Sequence, residues 1–90
     1  MIEREVEIQN SLGLHARAAA RFVRTASLYR AQVKVQHGTR VMDGKSILGM
    51  LLLAASRGTR LRLLIDGEDE AAAAAALGSL VESGFGEVAE

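Results

Sequence analysis

Segments in which apolar and polar residues alternate, separated by runs with helical spacing and by loop-forming residues at each change of period, predict a two-layer α+β fold for this 90-residue chain. The order read along the sequence is β-α-β-β-α-β-α. Short antiparallel strands with polar outward residues imply that the helices cover one face of the sheet and water the other. A chain of this length supports one modest core, so residues 1–90 read as a single domain.

The first strand is set by residues 2–8, where Ile2, Val6 and Ile8 face one way and Glu3, Glu5 and Glu7 the other. Arg4 interrupts the inner face, which suits an edge position. Asn10-Ser11-Leu12-Gly13 is loop chemistry. From Ala16 the period becomes helical. Ala16, Ala19, Ala20, Phe22, Val23 and Ala26 share one side, Arg17, Arg21 and Arg24 the other, and the helix ends near Ser27. Val33 and Val35 alternate with Lys34 and Gln36, and His37-Gly38-Thr39 turns the chain into a short strand at Arg40-Val41-Met42. Asp43-Gly44 breaks that strand and Ser46 offers a helix cap. Ile47 to Ala55 forms an apolar helical run closed by Gly58. Thr59 to Ile65 alternates again, with Leu61, Leu63 and Ile65 inward. Glu68, Asp69 and Glu70 then sit where a helix start favours negative charge, ahead of six Ala, Leu77, Leu80 and Val81, with Gly84 at the exit.

The absence of Cys excludes disulfides, thiolate zinc sites and thiol nucleophiles, and two His give no basis for a metal site. The charged N-terminus and the shortness of every apolar stretch against the ~18 residues of a membrane span make the expected protein soluble and cytoplasmic, with no membrane insertion. Net charge is zero, yet unevenly spread. Residues 1–10 hold three Glu and one Arg, residues 11–64 hold ten basic groups against Asp43, and residues 65–90 hold seven acids and no base. A cationic central segment points to an anionic partner: nucleic acid, phosphate or an acidic protein.

The most informative local feature is Gly13-Leu14-His15-Ala16-Arg17, where a loop hands over to a helix. The first-turn N–H groups of a helix are unsatisfied, carry partial positive charge and attract phosphate. His15 at that boundary puts an imidazole nitrogen beside an anion site, and the Arg17 fork reaches the same place. A free histidine, with a pKa of about 6.5, is mostly neutral at pH 7 and keeps a lone pair for attack on phosphorus. Spacing alone leaves a plain capping role for His15 equally open, and His37 reads as a polar turn residue.

These residues resemble a known family. Asn10 to Ala19, NSLGLHARAA, is similar to the active-site signature of HPr, the histidine-containing phosphocarrier of the bacterial sugar phosphotransferase system. Asp43 to Met50, DGKSILGM, resembles the second HPr signature, around a regulatory serine. The resemblance covers essentially the whole chain. It implies an open-faced β-sandwich with four antiparallel strands and three helices, acting as a phosphoryl carrier rather than an enzyme and without a cofactor. In that scheme phosphorylated Enzyme I passes its phosphoryl group to Nδ1 of His15, Arg17 neutralises it, and a sugar-specific IIA domain receives it. Family members usually carry Pro where this chain has Ala18. The exchange loosens the active loop modestly and returns an N–H that can donate to phosphate.

Ser46 reads as a helix cap, worth roughly 1 kcal/mol. In relatives from many bacteria a dedicated kinase, HPr kinase/phosphorylase, phosphorylates the matching serine, which implies Ser46 as a regulatory site. The following helix is apolar nearly all round. By the same resemblance Ile47, Leu48 and Leu51 form a docking patch beside His15, rimmed by Arg17, Arg21 and Arg24, on a monomer. Rival readings are an HPr-like regulatory paralogue of nitrogen-branch or catabolite-control type, a nucleic-acid-binding module, a metabolite-binding regulatory domain, and a phosphodiesterase pairing His15 with His37. With only Phe22, Tyr29 and Phe85 as aromatic residues, a base-stacking platform is poorly supplied, so no nucleic-acid partner is expected.

Overall fold

The structure is a computed structural model that describes residues 1–87, so Glu90, one of the seven acids counted above, lies outside the described residues. Strands β1 (Ile2–Glu7), β2 (Gln32–His37), β3 (Arg40–Asp43) and β4 (Arg60–Asp66) form one antiparallel sheet in the order β1-β4-β2-β3. Helices α1 (Ala16–Ala26), α2 (Ile47–Leu52) and α3 (Glu70–Glu82) complete the β-α-β-β-α-β-α order read from the sequence.

Register follows from the buried face. Val6 pairs with Leu61, and Val33 and Val35 with Ile65 and Leu63, so the inward residues of three strands form one apolar surface. Against it pack Phe22, Met50, Leu53, Leu77, Val81 and Phe85, all essentially inaccessible to water. The outer face is polar. There Arg60 reaches Glu5 and Glu7 at 3.0 and 3.6 Å, and Arg62 lies 3.6 Å from Glu3.

Two local expectations need correction. In α1 the buried side is Ala18, Ala19, Phe22 and Ala26, while Ala16 is exposed and Ala20 and Val23 are half-buried. Next, α2 ends at Leu52 rather than Ala55, because Ala54 takes a left-handed conformation (φ 50°) that a helix cannot continue. The acids do stand at the start of α3, with Asp69 as N-cap and Glu70 in the first turn, although Asp69 makes no side-chain cap bond there. Its two carboxylate oxygens instead accept the backbone N–H groups of Arg30 and Ala31, each at 2.8 Å, tying the α1–β2 connection to the start of α3.

An inward charge finds its own accommodation at Arg4 on the edge strand β1. Its Nη1 donates to Ala74 O at 3.3 Å and its Nη2 reaches Glu82 Oε1 at 2.7 Å. The guanidinium crosses α3 at Gly78, where any Cβ would overlap it.

The Asp69 arrangement predicts a pH response. The Arg30 N–H holds this carboxyl below its ordinary value, opposed by burial and assisted by the Ala31 N–H. A depressed carboxylate stabilises the fold above its ordinary titration range and loses that contribution as pH falls through the folded value. The melting temperature of the wild type should therefore drop as pH is lowered below about 4. Asp69→Asn, which keeps only one accepting oxygen, should melt lower at pH 7 and show a flatter acid limb in calorimetry.

Candidate functional site

His15 is the N-cap of α1, with extended backbone (φ −77°, ψ 178°). The bend that delivers it depends on Gly13, at φ +68°, whose carbonyl accepts the His15 N–H at 2.9 Å. Leu14 N–H donates to Ala55 O at 2.9 Å, which ties the loop to the chain leaving α2.

Both ring nitrogens of His15 are engaged. Nδ1 faces the backbone N–H of Arg17 at 3.2 Å, and Nε2 lies 2.7 Å from Glu87 Oε2. A backbone N–H only donates and an ionised carboxylate only accepts, so the pair of contacts selects one neutral tautomer. The proton sits on Nε2 and the lone pair on Nδ1, at the positive end of α1. The N–H groups of Ala16 and Ala18 have no hydrogen-bond partner among the described residues. They complete a cradle suited to a phosphate oxygen.

Glu87 is itself held in place. Asn10 uses its two amide protons to bond Gly13 O at 2.6 Å and Glu87 Oε1 at 2.7 Å. The His15 hydrogen bond keeps the Glu87 carboxyl below its ordinary value, against burial and with help from Asn10 and the nearby Arg21 charge. The segment carrying Glu87 leaves α3 through Gly84, Phe85 and Gly86, with φ of +73°, +60° and +73°. Phe85 plugs into the core at 1% exposure, and Arg21 Nη1 donates to its carbonyl.

The expected site residues therefore fall into distinct places. Arg17 is adjacent to His15 through its backbone N–H, and its exposed side chain lines a cleft of about 480 Å³ together with Asn10, Arg21, Arg57 and Glu87. Arg24 is exposed, whereas Arg21 is half-buried and occupied in holding Phe85. Ile47, Leu48 and Leu51 are 45, 67 and 37% exposed, and Leu52 joins them at 49%. Ser46 caps α2, its Oγ accepting the Gly49 N–H at 3.0 Å. His37 belongs elsewhere: its Nδ1 lies 3.1 Å from Leu53 O. Glu87 and Asn10 escaped the sequence reading. The one signal for Glu87 was an aromatic residue between two glycines just after a helix, the pattern of a strap returning to the core.

Chemically, an oriented imidazole with its lone pair at a helix N-terminus can accept and release a phosphoryl group. Comparison with known proteins agrees. Residues 2–83 match the family described as the PTS HPr component phosphorylation site. The chain is 46% identical to the phosphocarrier protein HPr of Neisseria meningitidis over 87 residues, covering 97% of this chain and 98% of that one. Two Thermoanaerobacter tengcongensis structures are similar. One, of HPr-C-His, superimposes with a TM-score of 0.93 at 44% identity, covering 98% of this chain and 99% of its own. The other, described as an HPr dimer, gives 0.77 at 45% identity with 97 and 100% coverage. Agreement over nearly the full length in family signature, relative and fold shows that the chain belongs to the HPr family, whose members carry a phosphoryl group rather than act as enzymes.

Proposed function

We propose that His15 takes a phosphoryl group on Nδ1 from phosphorylated Enzyme I and delivers it to IIA domains of sugar permeases, with residues 1–90 as one carrier domain. The observation that carries this reading is the pair of ring contacts, Glu87 Oε2 at Nε2 and the Arg17 N–H at Nδ1, which together select the tautomer with its lone pair on Nδ1 at the start of α1. During transfer the Arg17 N–H moves from Nδ1 to a phosphoryl oxygen, the N–H groups of Ala16 and Ala18 add donors, and the Arg17 guanidinium swings in from the cleft to offset charge. Positioning and charge stabilisation supply most of the rate.

Docking falls to the exposed apolar residues Ile47, Leu48, Leu51 and Leu52, with Arg17 and Arg24 as a cationic rim that selects acidic partners. Arg21 contributes indirectly, through its hold on Phe85. A face that must meet two partners in turn has to be free, which favours a monomer as the working form. Ser46 borders this face, and a phosphate there adds about −1.5 to −2 charge against an acidic partner. A serine kinase acting at Ser46 would thereby slow transfer from Enzyme I.

Incubation with phosphoenolpyruvate and Enzyme I should place an acid-labile, base-stable phosphate on the chain, mapped by mass spectrometry to His15. Ser46→Asp in the same assay should be labelled more slowly. No labelling where another HPr is labelled would end the carrier reading; equal rates for Ser46→Asp and wild type would remove the regulatory one.

A further inference from the structure

We propose that Glu87 is a positioning residue for transfer at His15: its carboxylate holds the proton on Nε2 through both halves of the cycle and balances the positive charge the ring acquires when phosphorylated. This inference rests on the carrier reading of His15. The contact is short, 2.7 Å between Glu87 Oε2 and His15 Nε2, and both side chains are largely shielded from water. It is also built rather than casual. Asn10, buried beside it, spends one amide proton on Glu87 Oε1 and the other on Gly13 O, so the acid and the loop that shapes His15 are held by one side chain. Phe85, buried two residues earlier, and Arg21, bonded to the Phe85 carbonyl, fix the strap from below.

The electron count gives the carboxylate its task. The Nδ1 lone pair forms a bond to phosphorus as the donor's bond to phosphorus breaks and that electron pair leaves with the donor. The ring, already protonated on Nε2, becomes a phosphoimidazolium. No proton has to enter or leave. Its positive charge, shared with the Nε2–H, faces a carboxylate already in hydrogen-bond contact, so charge develops into a preorganised partner. In the second half an acceptor's lone pair bonds phosphorus and the P–Nδ1 electron pair returns to the ring. A ring that has kept its Nε2 proton leaves as neutral imidazole, whereas one that has lost it must leave as an anion. Glu87 favours the first course. The other charged groups facing this site are Arg17 and Arg21 of α1, Arg57 ahead of β4, and Glu82 of α3, all lining the adjoining cleft. The three arginines repel the phosphoimidazolium cation, and Glu87 is the acid in contact with the ring.

The test compares full-length wild type, Glu87→Gln and Glu87→Ala, each loaded on His15 with phosphoramidate, a small chemical phosphoryl donor, so that loading does not depend on Enzyme I. The first readout is the pH at which the hydrolysis rate of the phosphohistidine changes as the phosphorylated ring loses its Nε2 proton. That break should lie about one pH unit lower in Glu87→Gln than in the wild type, the size of effect expected from losing a close opposite charge. The second readout is the ring tautomer of the unphosphorylated protein from 15N chemical shifts. The Nε2–H form should persist in Glu87→Gln, whose amide oxygen still accepts, and its share should fall in Glu87→Ala, where the Arg17 N–H at Nδ1 alone still favours it. Circular dichroism confirms that each variant is folded. The same break and the same tautomer in all three proteins would overturn the proposal. Failure of Enzyme I to load the wild type would instead count against the carrier reading, and leaves both phosphoramidate readouts in force for Glu87.

Discussion

His15→Ala is expected to take up no acid-labile phosphate from phosphorylated Enzyme I, while His37→Ala is loaded at close to the wild-type rate. The first loss should be complete because the nucleophile itself is gone, and nothing nearby replaces it. The chain has no Cys, and the other imidazole is turned toward Leu53 O, at the end of α2. The helix start, Arg17 and Asn10 would all remain, yet donors without an acceptor atom only bind an anion. Radiolabel incorporation with quenching at high pH, where phosphohistidine survives, measures both variants. Labelling of His15→Ala at an acid-labile site would show that the lone pair on Nδ1 is not the acceptor, and a dead His37→Ala would revive a two-histidine reaction.

Gly13→Ala should destabilise the fold by about 2–5 kcal/mol, which for a domain of this size lowers the melting temperature by more than about 10 °C. Two costs combine. A Cβ at φ +68° pays the left-handed penalty of about 1–2 kcal/mol. The same Cβ would stand 2.6 Å from Ala55 O and 2.9 Å from Ser56 Cα, and backbone on that side cannot swing away as a side-chain tip could. Overpacking of this kind costs about 1–3 kcal/mol. The damage reaches the chemistry as well, because Gly13 O receives both the His15 N–H and the Asn10 amide. Thermal unfolding followed by circular dichroism gives the stability change, and a loss under about 1 kcal/mol would mean that the loop relaxes freely.

What the sequence revealed and what it hid divide along the range of the interactions. Alternation in β1 and β4 and the helical spacing of α1 are local, so the element order and the inward set Leu61, Leu63 and Ile65 were legible. The position of His15 at a helix start was legible for the same reason. Glu87 was not, because its partner stands 72 positions away and the strap that returns it is three residues of left-handed backbone, with no periodic signature. Asp69 was legible as an acid at a helix start, but its second task was hidden for a related reason: its oxygens serve the N–H groups of a connection 38 and 39 positions earlier. The charge count of the central segment was true of the chain and misleading for the surface. Arg60 and Arg62 belong to it but are met across the sheet by Glu3, Glu5 and Glu7, so part of that positive charge is offset on the outer face of the sheet.

The passage of Arg4 across α3 has an evolutionary consequence. Glycine inside a helix costs up to about 1 kcal/mol relative to alanine, and among the alanines of α3 that substitution would otherwise be favoured. What opposes it is the guanidinium resting where the methyl would go, on its way to Glu82. Positions 4, 78 and 82 are thus physically coupled across the two extremes of the sequence. Where the residue at 4 is shortened, position 78 should become free to carry alanine and position 82 to lose its charge. An alignment of relatives should show the three columns changing together.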